Sequence, residues 1–298
     1  MKLSLFSVSY AGLWGQAFLG LEDFIARVRS LGYSGVEIMC KRPHLDPFRI
    51  SDNAIRRLRD LLKKHRLSVS CMAAYTDFNA GANASEVPLA DLQVEYIRAI
   101  AVVARKLDCG LIRVFTGYEN QIEPFGTQWA RIITGLRAAC DAAREHGVTL
   151  GIQNHHDIAV DTKALREMLL EIDRPNLELC VDAWSLHLRG ENMDQALRSV
   201  REHLAFSTVA DYVVLNRHRY RPQLVNYEKV EPALVKAVQM GKGELDYRTY
   251  FAVLKRLGYK GWVSYETCSP LRGGGSIDNL DAYARQFVTY MRSHKLCR

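Results

Sequence analysis

Gly147-Val-Thr-Leu-Gly-Ile-Gln-Asn-His-His-Asp157 is an apolar run of strand length that stops abruptly at five polar side chains. Near-continuous apolar runs belong to strands buried on both faces, as in parallel sheets. In a barrel of alternating strands and helices, the residues just past the C-terminal ends of the strands build the site. Gln153, Asn154, His155, His156 and Asp157 stand at that place, although a loop that is polar only because it is solvated reads the same way.

Outward from this stretch, strand-like and helical patterns alternate. A run at Leu3–Val8 precedes Leu21, Phe24, Ile25, Val28 and Leu31, whose helical spacing ends at Gly32, a residue suited to a helix C-terminus. Tyr33-Ser-Gly-Val-Glu-Ile-Met39 reads as a strand, Ser51 as the cap of a helix carrying Ile55, Leu58, Leu61 and Leu62, and Leu67–Ala74 as the next strand. A helix from Leu89 to Leu107 leads into the run Cys109–Gly117, and a helix over Thr127–His146 leads into the opening stretch. Helix 162–172, strand 177–183, helix 193–203 and strand 204–215 follow. An irregular segment rich in Arg, Tyr and Pro extends to Gly243, before helix 247–257, strand 259–267 and a last helix from Ser276. Eight strands alternating with eight helices require parallel pairing through right-handed crossovers. A closed (β/α)8 TIM barrel fits better than an open doubly wound sheet, because no GxGxxG turn follows the first strand. The 298 residues suit a single barrel domain over 1–298, as no linker or low-complexity segment divides them.

Composition narrows the class. The hydrophobic share is 48% and the charged share 24%, ordinary for a globular protein with a large core. No apolar run reaches the roughly 18 residues of a membrane span, and polar residues interrupt the first ten, which implies a cytoplasmic protein without a membrane partner. The seven cysteines are scattered without a CxxC pair, against both a disulfide framework and a structural zinc site. A net charge of +7 suits an anionic substrate but, without a basic-aromatic motif, makes nucleic acid an unfavoured partner.

Polar groups at strand ends converge on one mouth: Glu37, Arg113, Gln153 with His155, Asp182 with His187, Thr208, Asp211 and Glu266. Carboxylates and amide oxygens suit a hard divalent ion such as Mn²⁺ or Mg²⁺. Asp182 and Glu266 stand out because each terminates an apolar strand, where an unpaired charge is costly. Arg113, inside Leu111-Ile-Arg-Val-Phe115, is open to two readings: a contact to substrate oxygen, or a buried partner for Glu37 or Asp182. Asn154 and His156 belong with the substrate contacts. Ser269-Pro-Leu-Arg-Gly-Gly-Gly-Ser276, with Arg272, lies where barrel enzymes often hold phosphate. Asn216-Arg-His-Arg-Tyr-Arg-Pro222, with Arg217, reads as a lid over an anionic sugar or as a subunit contact in a homo-oligomer.

Through Tyr33–Glu37, Gly147–His155, Cys180-Val-Asp182, Gly241-Lys-Gly-Glu-Leu-Asp246 and Gly261–Glu266, the chain resembles the xylose isomerase-like barrels. That group includes sugar isomerases, epimerases, inositol catabolic enzymes and endonuclease IV-type repair enzymes. The resemblance implies a sugar or sugar-phosphate isomerase or epimerase acting through an enediolate. It also implies one divalent ion (Mn, Mg, Co or Zn), held in the family's epimerases by Glu, Asp, His and Glu from strands five to eight. Here Gln153 stands at the first of these positions and Thr208 at the third, while Asp182 and Glu266 remain. The expected ligands are therefore Gln153, Asp182, Glu266 and, to complete the shell, Asp211, with His155 or His187 as alternatives to it. An amide cannot accept the proton that the first carboxylate would take, so Glu266 is the expected base, with His155 or His187 as its partner acid. One base suits isomerisation or elimination beside a carbonyl better than symmetric epimerisation. A keto-sugar lyase, an abasic-site endonuclease and a carbohydrate-binding barrel without chemistry are the alternatives.

Overall fold

Eight parallel strands close on themselves: β1 (Lys2–Phe6), β2 (Gly35–Met39), β3 (Ser68–Ala73), β4 (Leu111–Val114), β5 (Thr149–Gln153), β6 (Leu177–Asp182), β7 (Leu204–Val209) and β10 (Trp262–Tyr265). The computed structural model describes residues 1–81 and 86–297. Every neighbouring barrel pair is parallel, β10 hydrogen-bonds β1 to shut the ring, and the expected (β/α)8 TIM barrel is the observed fold.

The outer layer consists of α1 (Leu21–Val28), α2 (Asp52–Lys64), α3 (Leu89–Lys106), α4 (Phe125–Arg144), α5 (Thr162–Ile172), α6 (Ala183–Leu188), α7 (Met193–Ser199), α8 (Tyr247–Arg256) and α9 (Ile277–Ser293). Local chemistry starts and stops them. Side chains of Ser51, Asp161, Asp246 and Ser276 accept from the backbone N–H three residues on, satisfying donors that helix geometry leaves free. After α1 and one 3₁₀ turn the chain reverses at Gly32, whose φ of 100° costs a residue without Cβ little.

Two boundaries differ from the sequence reading. The helix expected over 193–203 is shorter, α7 ending at Ser199 before a 3₁₀ turn at Arg201–His203, and an unexpected short helix precedes it, α6, which Asp182 caps through the Trp184 N–H. The strand expected over 204–215 stops at Val209. After Ala210 the chain leaves the barrel as an antiparallel ribbon, β8 (Asp211–Arg221) with β9 (Asn226–Val238), where an irregular segment was expected. Its polar, basic alternation carries no apolar face to mark a strand, which is why the pattern reads as loop.

The main core lies between barrel and helices. Phe24, Phe251 and Phe287 are fully buried there, and the Phe287 ring stacks on Tyr265 of β10 at 4.8 Å, which fixes the strand that carries Glu266 at its end. Inside the barrel, Cys71, Cys180 and Phe206 with Leu111 and Trp262 plug the floor, leaving polar residues for the upper layers. Truncating Phe287→Ala is expected to cost about 3–5 kcal/mol. Urea unfolding followed by circular dichroism measures it, and a loss under 1 kcal/mol would contradict the packing described.

Candidate active site

The mouth is assembled from strand ends whose register points selected side chains inward. Asp182 pairs with Thr208, and Thr208 with Ser264, so their side chains share one side of the barrel wall across β6, β7 and β10. Glu37 on β2 and Arg113 on β4 lie in the barrel interior, fully buried, with Arg113 Nη2 3.9 Å from Glu37 Oε1. Arg113 is held otherwise by a 2.9 Å bond to the Ala74 carbonyl and by the faces of Phe115, Tyr75 and Phe6 at 4.1, 5.2 and 5.7 Å. Of the two readings of Arg113, the buried partner of Glu37 is what the structure shows. Its Nε and both Glu37 oxygens lack hydrogen-bond partners, so the pair is incompletely satisfied.

Three carboxylates converge here against one guanidinium. Burial pushes Glu266 up to about 8, helped by the charges of Asp182 and Glu37 and opposed by Arg113. Burial likewise lifts Glu37 to about 7 against the pull of Arg113, and raises Asp182 above the usual carboxylate range against the pull of His155. Each charge disfavours the others, the situation in which one group retains a proton near neutrality.

Asp182 is the best-supported of the three. Its oxygens accept from the Trp184 N–H at 3.1 Å and the Ser185 hydroxyl at 2.7 Å. The Asn154 side chain grips its backbone from the neighbouring strand, donating to the Asp182 carbonyl at 3.1 Å and accepting its N–H at 2.6 Å. Asn154, expected to touch substrate, is thus fully buried and positions Asp182 instead. Gln153 ends β5, and its amide makes no hydrogen bond to any described residue, which leaves it free for a ligand. The Thr208 hydroxyl is buried without a partner.

The histidines divide. His155 is exposed past the end of β5, yet the protein packed around its ring holds it below the ordinary histidine range, while Asp182 pulls the other way. Its Nδ1 accepts the His156 N–H at 2.8 Å, which assigns the proton of the neutral ring to Nε2. His156 has a φ of 68° and packs on Phe115 and Tyr118 at 4.1 and 4.3 Å. Burial and the His155 charge push it down to about 3, so it is a neutral aromatic wall. His187 stacks on Trp184 at 5.2 Å, and no hydrogen bond or ion pair among the described residues links it to Asp182 or Glu266.

Three expected residues have other work. The carboxylate of Asp211 accepts from the N–H groups of Tyr212, Gly241 and Gly243 at 3.0, 2.8 and 2.9 Å. It pins the base of the ribbon rather than completing a metal shell. A Cβ at Gly243 would lie 2.0 Å from Asp211 Oδ1, so glycine is required for that approach. Arg217 sits exposed on the ribbon, bonded to the Pro232 carbonyl. The Arg272 loop is a strap: its N–H donates to Ala237 at the ribbon base, Gly274 N–H to Leu271, and Asn279 N–H to the Ser276 cap. Three N–H groups of the segment, those of Arg272, Gly274 and Asn279, are thereby engaged by the chain itself. Asp157 accepts the Glu119 N–H and ties two mouth loops together.

Two residues escaped the sequence reading. Lys41, immediately past β2, places Nζ 3.7 Å from the Tyr75 ring, and burial with the Arg113 charge holds it below the ordinary lysine range. Cys268 lies beside Glu266, whose charge and burial keep the thiol protonated. The rule applied to β5, that residues just past a strand end face the mouth, would have found both.

A mouth of buried carboxylates and one guanidinium at the C-terminal end of a (β/α)8 barrel is the arrangement of a barrel enzyme. The model of the xylose isomerase-like TIM barrel family matches residues 25–293, and the chain belongs to that family. It is 21% identical to L-ribulose 3-epimerase of Methylomonas sp. (strain DH-1) over 87% of this chain and 82% of that protein. It is 24% identical to inosose dehydratase of Geobacillus thermodenitrificans (strain NG80-2) over 55% of this chain and 54% of that one. Among solved structures, an L-ribulose 3-epimerase superposes with a TM-score of 0.75 at 17% identity, covering 99% of this chain and 94% of that one.

Because Glu266 holds its proton more tightly when folded than when unfolded, its ionisation costs stability. That cost is absent below about pH 4.5, grows up to about pH 8 and is complete above it. In chelator-treated protein, Glu266→Gln should therefore leave stability nearly unchanged at pH 4.5 and raise it by on the order of 1–4 kcal/mol at pH 9. Thermal unfolding at the two pH values checks this, and equal shifts at both would refute it.

Proposed function

We propose that the chain moves a proton at a carbon next to the carbonyl of a small sugar or sugar derivative, in an isomerase or epimerase reaction through an enediolate. A sugar isomerase/epimerase-like activity is the coarse reading, supported by the epimerase and dehydratase relatives. The observation that carries the finer one is Glu266, a carboxylate at a strand end whose proton affinity is tuned close to working pH, where a general base is most effective. Gln153 cannot share that role, so a single carboxylate base acts on one face of the substrate. This asymmetry favours aldose–ketose isomerisation, with elimination beside the carbonyl as the second reading.

His155 serves as a neutral donor. Its Nδ1 is engaged, which leaves the proton on Nε2, and a neutral imidazole can donate to the substrate oxygen as negative charge develops there. Lys41 supplies a nearby positive charge to the same oxygen. Phe115, His156 and Tyr118 form an apolar wall that excludes water from one side.

The donor chemistry fits a divalent ion held less tightly than one bound by three carboxylates and a histidine. Gln153, Asp182 and Glu266 offer hard oxygen atoms, two of them anionic, and a cation among the three carboxylates would relieve the repulsion that raises their proton affinity. Among the described residues no three His, Cys, Asp or Glu side chains are grouped to hold a metal by themselves. When bound, such an ion would polarise the carbonyl and stabilise the enediolate oxygens.

Two outcomes are expected. Gln153→Glu should tighten Mn²⁺ binding in calorimetry by at least tenfold, since a carboxylate outcompetes an amide for a hard cation; unchanged affinity removes Gln153 from the ligands. Glu266→Gln should slow exchange of the substrate's α-proton in deuterated water by about a hundredfold to ten-thousandfold. Near-parental exchange in Glu266→Gln, with loss in His155→Ala, would move the base to the histidine.

A further inference from the structure

The β8–β9 ribbon is out of proportion to its own support. Its base is well fixed: Asp211 is pinned by Gly241 and Gly243, Ala237 pairs with the Pro270–Arg272 strap, and Val214 N–H donates to Glu244. Beyond Leu215 the two strands run on for about 20 Å at 3.3–3.4 Å per residue. In this outer half, every side-chain hydrogen bond and ion pair among the described residues is internal, such as Arg221 with Glu228 and Lys229 with Glu231. A two-stranded ribbon is marginally stable in water without a surface to pack on.

Its faces show what kind of surface that is. Cross-strand neighbours Tyr220 and Tyr227 stack at 5.2 Å on one face, and Leu224 and Val225 at the tip are 75% and 79% exposed. The other face carries Arg217, Arg219 and Arg221. The complementary surface lies on this same chain. The β4–α4 loop exposes Tyr118 and Ile122 beside Glu119, and the β5–α5 loop adds Asp157 and Asp161, an apolar and acidic rim at the end of the barrel from which the ribbon springs. No hydrogen bond or ion pair among the described residues joins the outer ribbon to this rim within one copy.

We propose that the ribbon is an exchange arm: in a twofold dimer, each copy lays the outer half of β8–β9 on the β4–α4 and β5–α5 loops of the other, so that each mouth is closed by residues of a second copy. Such an interface is isologous, every arm-to-rim contact occurring twice, which lets a modest patch hold the pair together. Arginines meet carboxylates and the tyrosine face with the Leu224–Val225 tip meets Tyr118 and Ile122. The complementarity is local, so it overcomes the net positive charge of both copies only at short range. That the closed mouth is catalytic rests on the function proposed above; the dimer itself does not.

Sedimentation velocity of the full chain at 1–50 μM should show a dimer at 0.1 M salt. Leu224→Asp with Val225→Asp on the arm, and separately Ile122→Asp on the rim, should each weaken it at least tenfold. Arg219→Glu should weaken it as well, and Glu119→Arg added to Arg219→Glu should restore it in part. Hydrogen exchange over 118–123 should rise in the arm variant, which reports uncovering of the rim independently of any activity. A monomeric parent overturns the proposal, whether the arm then folds over its own mouth or binds nucleic acid. So does a dimer that survives both the arm and the rim substitutions.

Discussion

One guanidinium faces three carboxylates inside this barrel, and much of the site follows from that imbalance. Arg113 cannot neutralise Glu37, Asp182 and Glu266 together, and it is itself spread over Phe115, Tyr75 and the Ala74 carbonyl. Burial strengthens each repulsion because little water reaches the charges to screen them. The mouth therefore holds stored protons or calls for a cation, and either way Glu266 is kept near the pH at which it can exchange a proton. Removing Arg113 would leave this set without its one buried counter-charge, a far larger loss than a missing surface ion pair.

The scaffold keeps this arrangement from relaxing. Asp182 cannot swing away, because Asn154 grips its backbone and α6 begins on its carboxylate. Glu266 follows directly on Tyr265, whose ring is stacked on Phe287, and its own N–H continues the ladder to Val209. Strain in electrostatics is thus offset by packing and backbone hydrogen bonds that do not depend on charge.

The barrel was legible in the sequence because buried strands and their polar ends differ so sharply. Leu179-Cys-Val before Asp182 and Trp262-Val-Ser-Tyr before Glu266 leave little choice about where the chain turns from core to mouth. Side chains whose partners are backbone atoms were not legible. Asn154 looks like a substrate contact until the register brings the Asp182 amide opposite it. Asp211 looks like a ligand until Gly241 and Gly243, thirty residues on across the ribbon, return to its carboxylate. The ribbon itself was hidden because both of its faces are exposed beyond Leu215, so no apolar alternation marks it. Lys41 has no carboxylate to mark it as a ligand, although its place two residues past β2 is as telling as that of His155 past β5.

The chemistry of this mouth rests on the proton affinity of Glu266. Infrared difference spectroscopy across a pH titration of chelated protein, comparing the parent with Glu266→Gln, isolates the carboxyl stretch lost in the variant. This band should persist at pH 7 and disappear with a midpoint near 8. A midpoint near 4.5, the value of an ordinary glutamate, would show that the three carboxylates do not constrain one another, and the site described here would be wrong.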